Sequence, residues 1–379
     1  MRYKMVAGKY KVSCVGIGAH YRALEYGTDD ATVLGDINED ELRTREGYLR
    51  RAIDAGINYF DSTWRNETEM LCRAIAPLNV RDRVFINSMT MDTFINTETP
   101  EESAAYVLEG LDARLRMVQG NYYDCYMMNT PERGYDEAKA DACMRVLEDR
   151  KRKGDILCTG ISTHRPELAR AFADRYDIDL IMTSYNFHHH QIDDLFKDYR
   201  GSATIIAMKP MIWSLSVYGL PFVYAGLIPG QLVSKPLEEM ATHSIAWSAL
   251  SPIVSSVVVS VHSDRDLDDL IEAADMMHPD AAALAEYEKL VTMDNYIPFA
   301  LTALFRKTDQ LSTRNLFYAC MQVSNLLGVE FPYDNMKQYH KLPYGEKEFR
   351  AHMEAMRKRA IEMGYGQYVE QISSAQSLF

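Results

Sequence analysis

Residues 56–69 read Gly-Ile-Asn-Tyr-Phe-Asp-Ser-Thr-Trp-Arg-Asn-Glu-Thr-Glu, and this stretch decides the fold. A glycine typical of a helix end precedes the apolar residues Ile57, Tyr59 and Phe60, which predict a buried parallel strand. Asp61 stands at the carboxyl end of that strand, and the next helix opens near Glu67. In parallel α/β folds the chemistry lies at this end of the strands. Because a buried unpaired carboxylate is costly, we expect Asp61 to be solvated, paired or used.

The same alternation of apolar runs and amphipathic helices fills residues 10–275. Strands are predicted at Lys11–Gly18, Ile57–Asp61, Val84–Met89, Tyr123–Met128, Ile156–Ser162, Leu180–Ser184, Thr204–Lys209 and Ser256–Ser260. Helices are predicted near residues 39–55, 67–76, 101–118, 135–153, 165–175, 190–199, 235–249 and 264–275. This pattern predicts a (β/α)8 TIM barrel. A doubly wound sheet is the alternative, but Gly16 and Gly18 alone make a weak dinucleotide fingerprint.

The chain has 379 residues, and the alternation stops near Pro279. We therefore predict a barrel at residues 1–278 and a helical C-terminal extension at residues 279–379. The dispersed net charge of −13 argues against nucleic acid or an anionic membrane as a partner. No apolar run has transmembrane length, no signal peptide is visible, and the six cysteines are scattered. We expect a cytoplasmic protein with a small-molecule substrate, whose C-terminal helices could bind a second copy or a protein partner.

Several motifs resemble those of aldo-keto reductases in the order of that family. Gly56–Asp61 matches its G-I-N-x-F-D signature, and Lys153–Ser162 is similar to its G-K-V-R-x-I-G-V-S-N segment. Ile205–Pro210 is similar to the Met-Lys-Pro strand of members that carry an iron–sulfur domain, and Val254–Leu270 resembles the last strand and helix. The resemblance implies a barrel, a nicotinamide cofactor and carbonyl reduction.

The family's four catalytic residues are an Asp, a Tyr acid, a Lys and a His, and only the first is kept. Asp61 matches the Asp, whereas Asn66 falls at the Tyr, Met89 at the Lys and Asn129 at the His. Carbonyl reduction needs a proton donor beside the oxygen, and neither Asn nor Met can supply a proton. The resemblance therefore implies a rearranged catalytic set.

We assign catalytic roles in this set to Asp61, Asn129, Tyr185 and Lys209. The predicted substrate pocket consists of His20, Trp64, Arg65, Asn66, Met89, His164 and Trp213. Tyr185 is expected to replace the missing acid, with a pKa lowered by Lys209 or His164. The alternatives are a local ion pair between Asp61 and Arg65 and a merely solvated Lys209.

The resemblance also implies the residues that would hold the cofactor. They are Ser162 and Thr163 at the nicotinamide amide, Met208 on the seventh strand, and His262, Ser263 and Arg265 near the adenosine phosphate. Asp266 stands where the family has the Arg that pairs with the 2′-phosphate of NADP, and an Asp repels a phosphate. Either NADP or NAD could bind. Cys320 is the one cysteine beyond residue 275, so no iron–sulfur cluster is expected.

No metal site is assigned, because the side chains of His188, His189 and His190 would not face one way. Two functions follow from these observations. The first is a divergent oxidoreductase acting on a small polar carbonyl or sugar-like substrate. The alternative is a catalytically silent or non-redox barrel that acts as a binding or partner subunit.

Overall fold

A computed structural model describes residues 1–18, 37–91, 93–130, 135–187, 190–210, 237–285, 301, 304–305, 320, 323–324, 327–329 and 346–369. The chain forms two compact units. The first comprises Met1–Pro210 and Ala241–Asp280, and the second comprises Met211–Met240 and Ala281–Phe379. The predicted boundary between residues 278 and 279 stays a prediction.

The first unit begins with an antiparallel hairpin, β1 (Tyr3–Val6) and β2 (Tyr10–Ser13). The predicted single strand Lys11–Gly18 is therefore wrong, because its first half belongs to this hairpin. The pairing runs as far as Ser13, and Cys14 N donates a hydrogen bond to Arg2 O at 2.9 Å.

Eight parallel strands close into a barrel in the described part of the first unit. They are β3 (Val15–Gly18), β4 (Tyr59–Asp61), β5 (Phe85–Thr90), β6 (Tyr123–Asn129), β7 (Ile156–Thr163), β8 (Leu180–Ser184), β9 (Thr204–Met208) and β10 (Val254–Ser260). Each strand pairs with its neighbour in sequence, and β10 pairs with β3, with Val257 opposite Val15. The predicted (β/α)8 barrel is confirmed.

Helices lie between the strands and after the last one. They are α1 (Glu39–Asp54), α2 (Arg65–Ile75), α3 (Thr93–Asn96), α4 (Pro100–Leu115), α5 (Glu137–Lys153), α6 (Pro166–Arg175), α7 (Ile192–Phe196), α8 (Leu237–Leu250) and α9 (Asp264–Asp275). Local capping sets several of their starts. At α4, for example, Thr99 Oγ1 accepts from Glu102 N at 3.2 Å, and Glu102 Oε2 accepts from Thr99 N at 3.2 Å.

Side chains on each barrel strand point alternately into the barrel and outward to the helices, so the first unit has two apolar cores. The core inside the barrel, which we call the lumen cluster, consists of Val6, Val12, Tyr59, Phe85, Met89, Cys125, Met127, Cys158, Leu180, Met182, Ile206 and Val258. The intervening residues, such as Phe60, Ile86 and Ile181, belong to the core between strands and helices. Since Val6 and Val12 pack into the lumen cluster, the hairpin closes the end of the barrel where the strands begin.

The lumen is tight enough to require glycine at two positions. A Cβ on Gly16 would lie 2.7 Å from Tyr59 Cδ1, and one on Gly160 would lie 2.6 Å from Leu180 O. Real Cβ atoms do not approach neighbours so closely. The barrel therefore accommodates the Tyr59 side chain on β4 and the close backbone of β8 only because the neighbouring strands β3 and β7 carry glycine at the paired positions.

A buried ion pair joins the starts of β5 and β6. Arg81 Nη1 lies 2.8 Å from Asp124 Oδ2, and both side chains are less than one-tenth exposed. Arg81 Nη2 donates to Tyr122 O at 2.9 Å, and Asp124 Oδ2 accepts from Ile86 N at 2.9 Å. Burial raises the pKa of Asp124, and the charge of Arg81 opposes that rise.

The second unit contains α10 (Glu346–Glu362). Its buried His352 lies with Nε2 2.8 Å from the Oγ of Ser324, which is fully buried. Burial lowers the pKa of His352, because removing the charged imidazolium from water costs more free energy than removing the neutral imidazole. Among the helices described in either unit, none combines the length and apolar character needed to span a bilayer.

Candidate functional site

The candidate site is the end of the barrel formed by the carboxyl ends of β3–β10, which we call the mouth. Strand register decides which side chains face it. Asp61 is paired with Gly18 on one side and Asn87 on the other, and Asn129 is paired with Ser162. These residues alternate with members of the helix-facing core, so they point into the lumen.

Asp61 is held by an amide on the neighbouring strand. Its side chain is 5% exposed, and Asn87 Nδ2 donates a hydrogen bond to Asp61 Oδ1 at 2.5 Å. Asn87 is fully buried, and its own Oδ1 has no hydrogen-bond partner among the described residues. Asp61 is therefore paired with a neutral amide, which fixes the orientation of the carboxylate.

The start of α2 holds three of the predicted pocket residues. Trp64 and Asn66 are buried and Arg65 is partly exposed. Asn66 Oδ1 accepts from Glu67 N at 2.9 Å, and Glu67 Oε2 accepts from Trp64 N at 3.0 Å. The side-chain oxygen at the family's tyrosine position is therefore used to hold the local backbone.

Methionine sulfur lines the floor of the mouth. Met89 on β5 is 2% exposed and lies opposite Met127 on β6. Met182 belongs to the same lumen cluster, and Met208 packs against it. The position of the family's lysine is thus part of a flexible apolar surface.

Two further predicted residues follow strands at the mouth. His164 comes directly after β7, and its Nδ1 lies within hydrogen-bond distance of Ser184 Oγ on β8, at 3.1 Å. Lys209 follows β9 and has a left-handed backbone with φ of +54°, which ends the strand at Met208. Asn186 Nδ2 donates to Lys209 O at 3.1 Å and fixes this turn. A left-handed lysine is strained, so its surroundings must hold it.

The predicted role of Tyr185 as an acid with a lowered pKa is wrong. Its hydroxyl donates to the carboxylate of Asp193 on α7 at 3.1 Å and bonds to Ser251 Oγ at 3.0 Å. Its ring stacks on Trp247 with centroids 5.4 Å apart, and it belongs to the helix-facing core. Burial raises the pKa of Tyr185, and the charge of Asp193 adds to the rise. The side chain is thus a structural contact outside the lumen.

The residues predicted near the nicotinamide fit their role unevenly. Ser162 lies between Asn129 and Met182 in the register and is 5% exposed, so its hydroxyl faces the lumen and fits the position that grips the amide. Thr163 is buried, and its Oγ1 accepts from Arg165 N at 3.1 Å. Its hydroxyl therefore serves the local turn.

The residues predicted near the adenosine phosphate form the start of α9. Ser263 Oγ accepts from Asp266 N at 3.1 Å, and Asp266 Oδ2 accepts from His262 N at 2.8 Å. Arg265 is exposed, with Nε 3.4 Å from Asp269 Oδ2. The Asp266 carboxylate already accepts the hydrogen bond of His262 N, a donor that a phosphate could use, and its charge would repel a phosphate. These residues therefore do not fit the 2′-phosphate of NADP.

Sequence reasoning missed two buried polar residues at the mouth. The position of Asn87 could have been predicted, because it lies two residues before Met89 on the same strand and must point to the same face. Arg45 on α1 is 1% exposed and donates to Gly18 O at 2.8 Å and to Val261 O at 3.2 Å. Nothing in the local pattern of α1 indicates that this arginine links the first and last barrel strands.

Some predicted residues lie outside the described part of the chain. These are His20, Trp213, His188 and His189. His190 is exposed, with Nδ1 3.4 Å from Asp193 Oδ2. In the described residues no group of three or more His, Cys, Asp or Glu side chains could hold a metal ion.

Comparison with known proteins agrees with this geometry. The model of the aldo/keto reductase family matches residues 24–211. No curated protein sequence matches the chain.

Solved structures extend the likeness to most of the chain. The aldo-keto reductase AKR11C1 from Bacillus halodurans is similar over 77% of this chain and 96% of its own, with a TM-score of 0.53 and 18% identity. An aldo-keto reductase from Klebsiella pneumoniae in complex with NADPH is similar over 76% of this chain and 95% of its own, with a TM-score of 0.54 and 17% identity. At 18% and 17% sequence identity, the similarity shows that the folds are alike.

Proposed function

The chain belongs to the aldo-keto reductase superfamily, and from this premise we propose that it is a nicotinamide-dependent oxidoreductase that interconverts a carbonyl and an alcohol on a small molecule. The observation that carries the proposal is Asp61. Burying a carboxylate costs free energy, and here Asn87 holds the buried Asp61 at the end of β4, facing the lumen, so we infer that this position serves the chemistry.

The proton donor must differ from the family's tyrosine. Asn66 and Met89 cannot donate a proton, and the hydroxyl of Tyr185 is engaged with Asp193. We therefore assign the acid to His164, because imidazole is the commonest acid–base group in enzymes. Its hydrogen bond with Ser184 Oγ orients the ring.

Two other predicted residues would bind the reacting oxygen. The Asn129 amide ends β6 beside Ser162 and can donate a hydrogen bond to a carbonyl oxygen. The Lys209 ammonium can stabilise the negative charge that develops there. A reduced nicotinamide, when bound, would supply the hydride.

The floor of the mouth narrows the substrate. Met89, Met127 and Met182 present sulfur and methylene groups, whereas Asn129 and His164 supply polar groups near the strand ends. We propose a substrate whose carbonyl meets Asn129 and His164 and whose compact apolar group next to that carbonyl packs on the methionines, while the rest of the molecule carries the polar groups of the predicted sugar-like class.

Turnover assays test this function. Purified protein is incubated with NADH or NADPH and a panel of aldehydes and ketones, and loss of reduced-nicotinamide absorbance is followed. Asp61→Asn keeps the hydrogen-bond acceptor for Asn87 and removes the charge, and His164→Asn removes the acid. Each should lower kcat by about a hundredfold or more. The matched control is Asp82→Asn, which changes an exposed acid in a turn before β5.

Three outcomes separate the alternatives. Full turnover by His164→Asn would refute the assignment of the acid while leaving the oxidoreductase in place. Full turnover by Asp61→Asn would refute the observation on which the proposal rests. A protein that binds neither dinucleotide and turns over no substrate would support the silent or non-redox barrel instead.

A further inference from the structure

We infer that the start of α9 excludes a 2′-phosphate, so that the dinucleotide of this protein is NAD(H) rather than NADP(H). The inference rests on the proposed function and deepens it. It concerns the segment between the last barrel strand and its helix, residues 261–263, together with Asp266.

This segment lies where barrels commonly bind phosphate. Phosphate sites in this fold are often built from the loops after the seventh and eighth strands and a helix N-terminus. Here β10 is the eighth barrel strand, and α9 begins four residues after its last residue, Ser260. A helix start with unused N–H groups would attract an anion.

Two N–H groups at this start donate to side chains of the chain itself. The N–H of Asp266 donates to Ser263 Oγ, and the N–H of His262 donates to the Asp266 carboxylate. Leu267 N donates to Ser263 O at 3.3 Å. The protein's own carboxylate, on Asp266, therefore takes one of the N–H groups that an anionic ligand here would use and adds a negative charge beside the others.

The surrounding charges strengthen the exclusion. Asp264 also lies in the first turn of α9 and is paired with Arg51 on α1, which is paired with Asp268 as well. Arg265, the nearest cation in the helix sequence, points to Asp269. Burial raises the pKa of Tyr48, the charges of Asp264 and Asp266 add to the rise, and Arg51 and Arg45 oppose it.

The two dinucleotides differ chemically at the group that this carboxylate would face. A phosphate monoester carries close to two negative charges at neutral pH and is repelled by Asp266. The ribose 2′-hydroxyl of NAD is a hydrogen-bond donor, and an acidic side chain commonly accepts from it. Asp266 Oδ1 accepts no hydrogen bond among the described residues, so it can take this role.

Direct binding measurements test the inference without relying on turnover. The dissociation constants of NADH and NADPH are measured by isothermal titration calorimetry on the full chain. We expect NADH to bind at least about tenfold more tightly. Asp266→Asn should reduce this ratio several-fold, because the amide oxygen can still accept from His262 N while the charge is gone. A melting curve confirms that the variant is folded.

Asp275→Asn is the matched control. It removes the same charge from the last residue of α9, nine residues along the helix and so about 14 Å away, beyond the Debye length in physiological salt. The ratio should not change.

Each outcome decides the matter. Preference for NADPH would overturn the inference and leave the proposed function standing. An unchanged ratio in Asp266→Asn would overturn the role given to Asp266. Failure of both dinucleotides to bind would overturn the inference and the proposed function together.

Discussion

Replacing Arg81 with Met should strongly destabilise the barrel, because Asp124 would remain buried without its counter-charge. The two side chains are 8% and 9% exposed, so water cannot solvate the stranded carboxylate. Removing one partner of a buried ion pair costs about 3–5 kcal/mol of unfolding free energy. Arg81 also donates to Tyr122 O, and that bond is lost as well.

The double variant Arg81→Met/Asp124→Asn separates these contributions. It leaves no charge at this buried pair, so the remaining loss comes from the hydrogen bonds of Arg81 to the backbone, about 1–3 kcal/mol. We therefore expect the second substitution to restore about 2 kcal/mol. The amide that Asp124→Asn introduces keeps an oxygen that can accept from Ile86 N, so that hydrogen bond is retained.

The destabilisation should depend on pH with a definite sign. Burial already raises the pKa of Asp124, and loss of Arg81 removes the interaction that opposes this rise. A carboxyl whose folded pKa is raised gives its full stability below its unfolded pKa and loses it as pH rises through the folded value. The cost of Arg81→Met should therefore shrink as the pH falls from about 7 to about 4.

Urea unfolding followed by tryptophan fluorescence measures these free energies. Trp64 and Trp247 lie in the first unit, and a Trp213→Phe background removes the tryptophan that belongs to the second. A double variant no more stable than Arg81→Met would refute the reasoning. So would a cost of Arg81→Met that is the same at acidic and neutral pH.

Gly160→Ala should destabilise the barrel by about 1–3 kcal/mol in urea unfolding, because the new Cβ would lie 2.6 Å from Leu180 O. Gly47→Ala is the control: a Cβ there meets no atom within 4 Å, so this change in a helix should stabilise the protein by about 0.5–1 kcal/mol. Tyr185→Phe should cost about 1–3 kcal/mol of stability yet leave kcat unchanged, since its hydroxyl bonds outside the lumen; a lost kcat at full stability would contradict this. Burial lowers the pKa of His352, so this residue contributes stability to the second unit above the pKa of histidine in the unfolded chain and loses it as the pH falls. The melting temperature should therefore be lower at about pH 5 than at about pH 7. His352→Gln should flatten that profile.

The barrel was predictable because its signal repeats. Short apolar runs and capped helices alternate along residues 10–275, and each strand is buried on both faces, as in Ile156–Thr163. The first strand was misassigned because Tyr10–Ser13 has the same pattern as a barrel strand. Its antiparallel partner, Tyr3–Val6, gave no separate signal in so short a run.

The site was less predictable, because side-chain direction depends on distant contacts. Asp61 followed from the strand-end rule, and Asn87 could have followed from the alternation. Tyr185 could not be placed, because the hydroxyl of Ser251, 66 residues later in the chain, helps to hold it outside the lumen. Arg45 likewise reaches Val261 from a helix 216 residues earlier.

The hairpin at the closed end of the barrel has a consequence for biosynthesis. Lys4 Nζ donates to Ser251 O and to Val254 O, each at 2.5 Å, across 247 and 250 residues of sequence. A ribosome must therefore make nearly all of the first unit before the hairpin can dock. Until then the apolar lumen is uncovered at that end, so we expect the nascent chain to expose apolar strands that chaperones can bind.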